Sequence, residues 1–212
     1  MATLIHLGTV CRRLGRHAEA LDYYSAGLDF YRDLDDVLGQ AIMLSTVSLE
    51  MHLLGQDHEA LHLGHQALQL QQHLGERGLD SVLLNLAWIC GRLERHTDAI
   101  EYSLRALDLY PPGSSDPSVV LALINLSFSY ARIDRHAEAV TVGHQALALA
   151  KQLAYPEDEV EALNTLAEAH RLAGDHLSAR QLHSDALTLA TQIGFADEQT
   201  RARQGLALLS GA

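Results

Sequence analysis

His58, His62 and His65 stand at i, i+4 and i+7, a spacing that lines three imidazoles along one face of a helix. Imidazoles one helical turn apart can chelate zinc, which makes this set the candidate metal site of the chain. No carboxylate or cysteine at ligand spacing completes it, and the competing reading is a solvated helix face. Asp33, Asp35 and Asp36 form an acidic cluster that could hold a divalent cation weakly or simply stay solvated. Glu157, Asp158 and Glu159 follow Pro156, where negative charge complements the opening of a helix. A glycine-rich phosphate loop, a nucleophile elbow and a Cys-x-x-C pair are all absent from the sequence. The reactive groups therefore predict no catalysis and no cofactor, and attention shifts to residues that bind.

What positions those residues is a repeat. The phrase Leu14-Gly15-Arg16-His17-Ala18-Glu19-Ala20 occurs five times in related form, ending at Ala20, Ala60, Ala99, Ala139 and Ala179, at intervals of 40, 39, 40 and 40 residues. A period in this range predicts stacked units, because one unit cannot bury its apolar face alone. Sixteen residues before each anchor alanine stands Leu4, Leu44, Leu83, Leu123 or Leu163; thirteen before, Leu7, Val47, Leu86, Leu126 or Leu166; twelve before, the small Gly8, Ser48, Ala87, Ser127 or Ala167. These are the i, i+3 and i+4 steps of a helix face. Seven residues beyond the anchor, Gly27, Ala67, Ala106, Ala146 and Ala186 are each followed by leucine. Each unit is thus two amphipathic helices, A and B, with small residues where the backbones approach closely. The expected turns centre near residues 15, 55, 94, 134 and 174, with no strand. The units span 1–37, 38–77, 78–116, 117–156 and 157–195, and a capping helix and tail occupy 196–212. Pro111 to Pro117 should shorten helix B of the third unit, with Asp116 as N-cap and Pro117 first in the next helix.

The repeat frame reinterprets several reactive residues. His17, His96, His136 and His176 share one turn position and are read as capping or packing between helices A and B, while His65 and His144 are equivalent within the repeated phrase Gly-His-Gln-Ala-Leu. Cys11 and Cys90 occupy equivalent positions in units 1 and 3. Helices packed about 8 to 10 Å apart place them beyond the roughly 7 Å reach of a disulfide, as two buried reduced thiols.

With these residues in place, the array resembles tetratricopeptide repeats. Leu86-Ala87, Ala99 and Ala106 with Pro111 fit that family's pattern, as do Leu126-Ser127, Tyr130, Ala139 and Ala146. The family's helix A aromatic is replaced by Cys11, Met51, Cys90 and His170 in the other units. The period exceeds the usual 34 residues and is similar to the longer variant of bacterial regulators and kinesin light chains. The resemblance implies an all-α, right-handed superhelix of about five helix pairs plus a C-terminal cap, whose A helices line a concave wall.

On that wall fall the columns fourteen, eleven, eight and seven residues before each anchor. They place Asn85 and Asn125, Trp88 and Phe128, and Arg92 and Arg132 at the centre of the groove, with Arg12, Arg13, His52 and Arg171 further out. An asparagine amide offers donor and acceptor together and could clamp a peptide main chain, or bond a neighbouring helix instead. Trp88 and Phe128 could seat an apolar side chain or pack beneath a helix. The arginines could hold carboxylates or phosphates, or pair with local acids at the ends of the A helices. The lysine and asparagine set of the chaperone-tail carboxylate clamp is not reproduced, which argues against a heat-shock co-chaperone.

Composition narrows the setting. Hydrophobic residues make up 48% and aromatics only 5%, an Ala/Leu-rich helical signature, and Lys151 is the sole lysine. A net charge of -12 opposes direct nucleic-acid contact by this segment. The most apolar run, Pro117 to Ala131, is too short and too periodic to span a bilayer. Met1 to Leu4 is already in register with a helix A, with no leader ahead of it, so a cytoplasmic location and a domain cut from a larger protein are expected. The long, arginine-rich repeats look like the sensor arrays of actinobacterial antibiotic regulatory proteins and related signal-transduction ATPases. The implied role is a protein- or peptide-binding regulatory domain with an acidic partner, involved in transcription regulation, with any DNA contact made elsewhere. The alternative is a self-association scaffold, a homo-oligomer joined through its uncapped first helix and the end of its last.

Overall fold

In the computed structural model, which describes residues 2–71 and 74–210, the chain folds into eleven helices, with no strand among the described residues. Helix A of each unit is Ala2–Arg13 (α1), Val37–Leu53 (α3), Leu79–Arg92 (α5), Pro117–Arg132 (α7) and Pro156–Leu172 (α9). The B helices are His17–Asp33 (α2), Asp57–Gln71 (α4), His96–Leu107 (α6), His136–Leu153 (α8) and His176–Ile193 (α10), and Ala196–Leu208 (α11) covers the last pair. Met1 and residues 211–212, which bound the expected first unit and tail, lie outside the described residues.

Local chemistry accounts for the A-to-B turns. The residue that closes each turn needs a left-handed backbone; Gly15, Gly55 and Gly174 supply it with φ of 71, 78 and 85°, while Glu94 and Asp134 adopt φ of 60° in the other two units. The following amide bonds back into the last turn of helix A: Arg16 N–H to the Cys11 carbonyl (2.9 Å), Arg95 to Cys90 (2.8 Å) and Arg135 to Tyr130 (3.0 Å). This is the helix-ending pattern that satisfies carbonyls left orphaned at a C-terminus. Asp116 caps α7 by accepting from the Ser118 N–H at 2.9 Å, with Pro117 first in the helix, and α6 stops at Leu107, as the proline-rich link requires.

Packing follows the small residues. All five anchor alanines are wholly buried, as are Ala67, Ala146 and Ala186. Gly8 leaves room for the ring of Tyr24, and Gly143 lies against Ser127 and Leu166 of the flanking A helices. Each helix packs on its sequence neighbours, and α3, α5, α7, α9 and α11 also pack on one another in that order, which makes them the inner wall. Cys11 and Cys90 are buried free thiols, and burial pushes the Cys90 thiol up to about 11. The superhelix curves until its ends meet: Arg13 of α1 reaches Glu157 of α9 at 3.0 Å, and His17 of α2 lies 3.6 Å from Asp197 of α11.

Candidate functional site

The inner wall encloses a cavity of ≈ 740 Å³, lined almost entirely from the odd-numbered helices. Asn85, Trp88, Arg92, Asn125 and Phe128 line it, as do Arg12, Arg13 and His52. The amide nitrogens of the asparagines are engaged between helices: Asn85 donates to Ser45 Oγ at 2.6 Å and Asn125 to the Leu84 carbonyl at 3.3 Å. The aromatics and arginines interleave. The Arg92 guanidinium lies 5.2 Å from the Trp88 ring and 4.9 Å from Phe128, and the Arg132 guanidinium lies 5.2 Å from the Phe128 ring. Such cation–π contacts hold the Arg92 head while leaving its N–H groups free to donate. His52 meets the Trp88 ring edge-on at 5.3 Å and is tied to Asp57 at 2.6 Å.

Not all of the arginines placed on the inner wall line the cavity. Arg132 and Arg171 do not line the cavity; both turn to Glu168, at 3.2 and 2.6 Å. Glu168 occupies in the fifth unit the column held by Trp88 and Phe128, so an acid sits where the two central units carry rings. Arg12 lies 3.8 Å from Glu50, a buried carboxylate that also bonds His17 at 3.1 Å. Burial raises the pKa of Glu50, against the opposing pull of His17 and Arg12.

Other acids of the site were not anticipated. Asp158 and Glu161 of α9 and Glu198 of α11 form the wall facing the arginine and aromatic row. The signal for Glu161 was present: eighteen residues before the anchors stand Ile42, Ser81, Leu121 and then Glu161, a lone acid in an otherwise uncharged column. Burial, with Glu157 beside it, pushes Asp158 up to about 6. Burial, with Glu198 and Asp158, raises Glu161 as well. Arg92 is open to the water of the lumen, but protein surrounds that lumen, and this desolvation brings its pKa down to about 10. It remains a cation at neutral pH.

The histidine triplet lies away from the cavity. His58 and His62 are exposed, His62 Nε2 meets the Gln66 amide at 2.9 Å, and His65 Nδ1–H donates to the Leu61 carbonyl at 2.7 Å. Among the described residues no three His, Cys, Asp or Glu side chains gather to hold a metal. Asp36 of the acidic cluster caps α3 through the Gly39 N–H at 3.0 Å. His62→Ala should therefore change stability by no more than about 0.5 kcal/mol, and chelator should leave the melting temperature unchanged. A chelator-induced drop in a calorimetric scan would show that the triplet binds metal.

The tetratricopeptide-repeat sequence profile matches residues 1–73 and 116–208, and a second profile of the same repeat matches residues 80–112. No curated protein matches the chain in sequence. Among solved structures, a thermophilic tetratricopeptide-repeat protein of Thermus thermophilus superposes with a TM-score of 0.71 at 19% identity, over 97% of this chain and 98% of that one. A Rap protein complexed with competence and sporulation factor gives 0.70 at 14% identity, over 98% and 70%. A signal transduction ATPase with numerous domains and a tetratricopeptide repeat sensor, from Pyrococcus horikoshii, gives 0.65 at 13% identity, over 97% of this chain but 32% of that one. At these identities the structural likeness shows the fold.

Proposed function

Because the chain belongs to the tetratricopeptide-repeat family, a family of protein-interaction scaffolds, we propose that it captures a peptide or protein segment in its concave cavity. It would act as the sensor or regulatory domain of a larger bacterial transcriptional regulator or signalling protein in the cytoplasm. The observation that carries this reading is the ≈ 740 Å³ cavity, within the range of ligand-binding clefts, in which aromatic faces, an arginine and two asparagines converge. The Pyrococcus ATPase with its repeat sensor and the Rap complex lend the regulatory reading its precedent.

Trp88 is the only tryptophan in the chain and lines the cavity, so its fluorescence reports occupancy directly. A partner captured from native cytosol should shift that emission on titration. Asn85→Ala or Asn125→Ala should weaken it about fivefold, the equivalent of roughly 1 kcal/mol for one hydrogen bond. A partner indifferent to both asparagines, yet lost on altering the exposed faces of α4 and α6, would move the binding surface to the convex side. The self-association reading draws on Leu177 and Leu208, which are 84% and 62% exposed on the last helices. Light scattering over a concentration series separates the two, since only self-association makes mass rise with concentration.

A further inference from the structure

The cavity is lined by eleven charged or titratable side chains, and among the described residues eight of them have a hydrogen-bond or ion-pair partner. Arg12 and His17 share Glu50, Arg13 holds Glu157, His17 also reaches Asp197, and His52 holds Asp57. Glu198 accepts from Asn164 at 2.8 Å and lies 3.4 Å from Arg201, which also donates to Thr165 at 2.9 Å. Three are left over: Arg92, Asp158 and Glu161 line the cavity with neither a hydrogen bond nor an ion pair of their own. Arg92 projects from the end of α5, while Asp158 and Glu161 stand one turn apart near the start of α9. One cation and two carboxyls therefore occupy one lumen without meeting.

We propose that this gap is the seat of a short dipolar peptide, with a carboxylate on the Arg92 guanidinium and a cationic group on Asp158 and Glu161. The inference rests on reading the cavity as a peptide site and replaces a uniformly acidic occupant with one that carries both signs. A carboxylate at Arg92 meets a planar fork of donors already held between two rings, so little side-chain freedom is lost on binding. Among the described residues the acid pair makes no ion pair. Arg201 and Arg12 act on Glu161, and Arg13 on Asp158, only weakly against burial and the neighbouring Glu198 and Glu157 charges. An ammonium or guanidinium brought in by a ligand would supply what these carboxyls lack. With the ends of the superhelix joined at Arg13–Glu157 and His17–Asp197, the cavity of ≈ 740 Å³ suits a few residues.

The test titrates four randomised hexapeptide pools against the intact chain and reads Trp88 emission. Three pools have blocked termini and fixed ends: lysine first and glutamate last, glutamate at both ends, or lysine at both ends. The fourth has free termini and uncharged side chains, which asks whether the backbone's own amine and carboxylate suffice. The expected result is a response to one or both dipolar pools at concentrations at least tenfold below those needed for the single-sign pools. Arg92→Gln should erase the advantage over the all-lysine pool, and Asp158→Asn with Glu161→Gln the advantage over the all-glutamate pool. Neither change removes a hydrogen bond or ion pair among the described residues, and circular dichroism checks that both variants stay folded. If the all-glutamate pool binds as well as the dipolar ones, or the variants weaken every pool alike, the dipolar assignment fails while the peptide site stands. If no pool moves the Trp88 emission, the peptide site fails with it.

Discussion

Ala139→Trp should destabilise the protein by about 3 kcal/mol or more, at the upper end of the cost of overpacking a filled core. Ala139 is wholly buried where α8 crosses α7, and its carbonyl accepts from Ser127 Oγ at 2.9 Å. Leu126, Tyr130, Ala131 and Ala169 close the space around it, so an indole can enter only by prising the A and B helices apart. Ala137, on the same helix but exposed, provides the control: Ala137→Trp should shift stability by no more than about 0.5 kcal/mol. Urea denaturation followed by circular dichroism compares the two. Equal midpoints would mean that the anchor alanines do not mark the tight helix crossing, and the repeat frame would lose its physical basis.

His183 should contribute stability that is lost in acid. It is buried under α11, with Nδ1 bonded to Asn164 Oδ1 at 2.9 Å. The Asn164 amide nitrogen is committed to two acceptors of Glu198, at 3.1 and 2.8 Å, so its oxygen faces the ring and Nδ1 must carry the proton. Nε2 is buried with no partner. A proton arriving there creates a cation without an acceptor, and burial, reinforced by the positive charge of Arg201, brings the His183 pKa down to about 4. An unfolded histidine titrates near 6.5. Between those values the unfolded chain binds the extra proton, so the His183 contribution to stability is complete above about pH 6.5 and falls as pH drops toward 4, by about 2 to 3 kcal/mol. Asp158 and Glu161 act in the opposite sense, since their raised pKa values favour the folded state as pH falls. The measurement is therefore the difference in unfolding free energy between the native chain and His183→Gln across this window. That difference should shrink on acidification, and a constant offset would mean that His183 has the same pKa folded and unfolded.

The anchor alanines, the small residues twelve before them and the repeated turn phrase were enough to define the helix pairs, because the contacts they make are local. Ser127 meets Ala139, and Arg95 meets Cys90, within one turn or one hairpin. The same frame placed Asn85, Trp88, Arg92, Asn125 and Phe128 on the inner wall, since the face a helix turns inward repeats with the unit. It could not say which of their polar groups were already engaged. Arg13 with Glu157, His17 with Asp197, and Arg92 opposite Asp158 and Glu161 are relations between units far apart in sequence. They depend on how the small rotation from each pair to the next accumulates around the superhelix. A 40-residue period records that the rotation is repeated but carries no measure of its size, so the sequence determined the unit and its inward face. Only the tertiary structure decided where the ends meet, which charges neutralise one another there, and which three remain for a ligand.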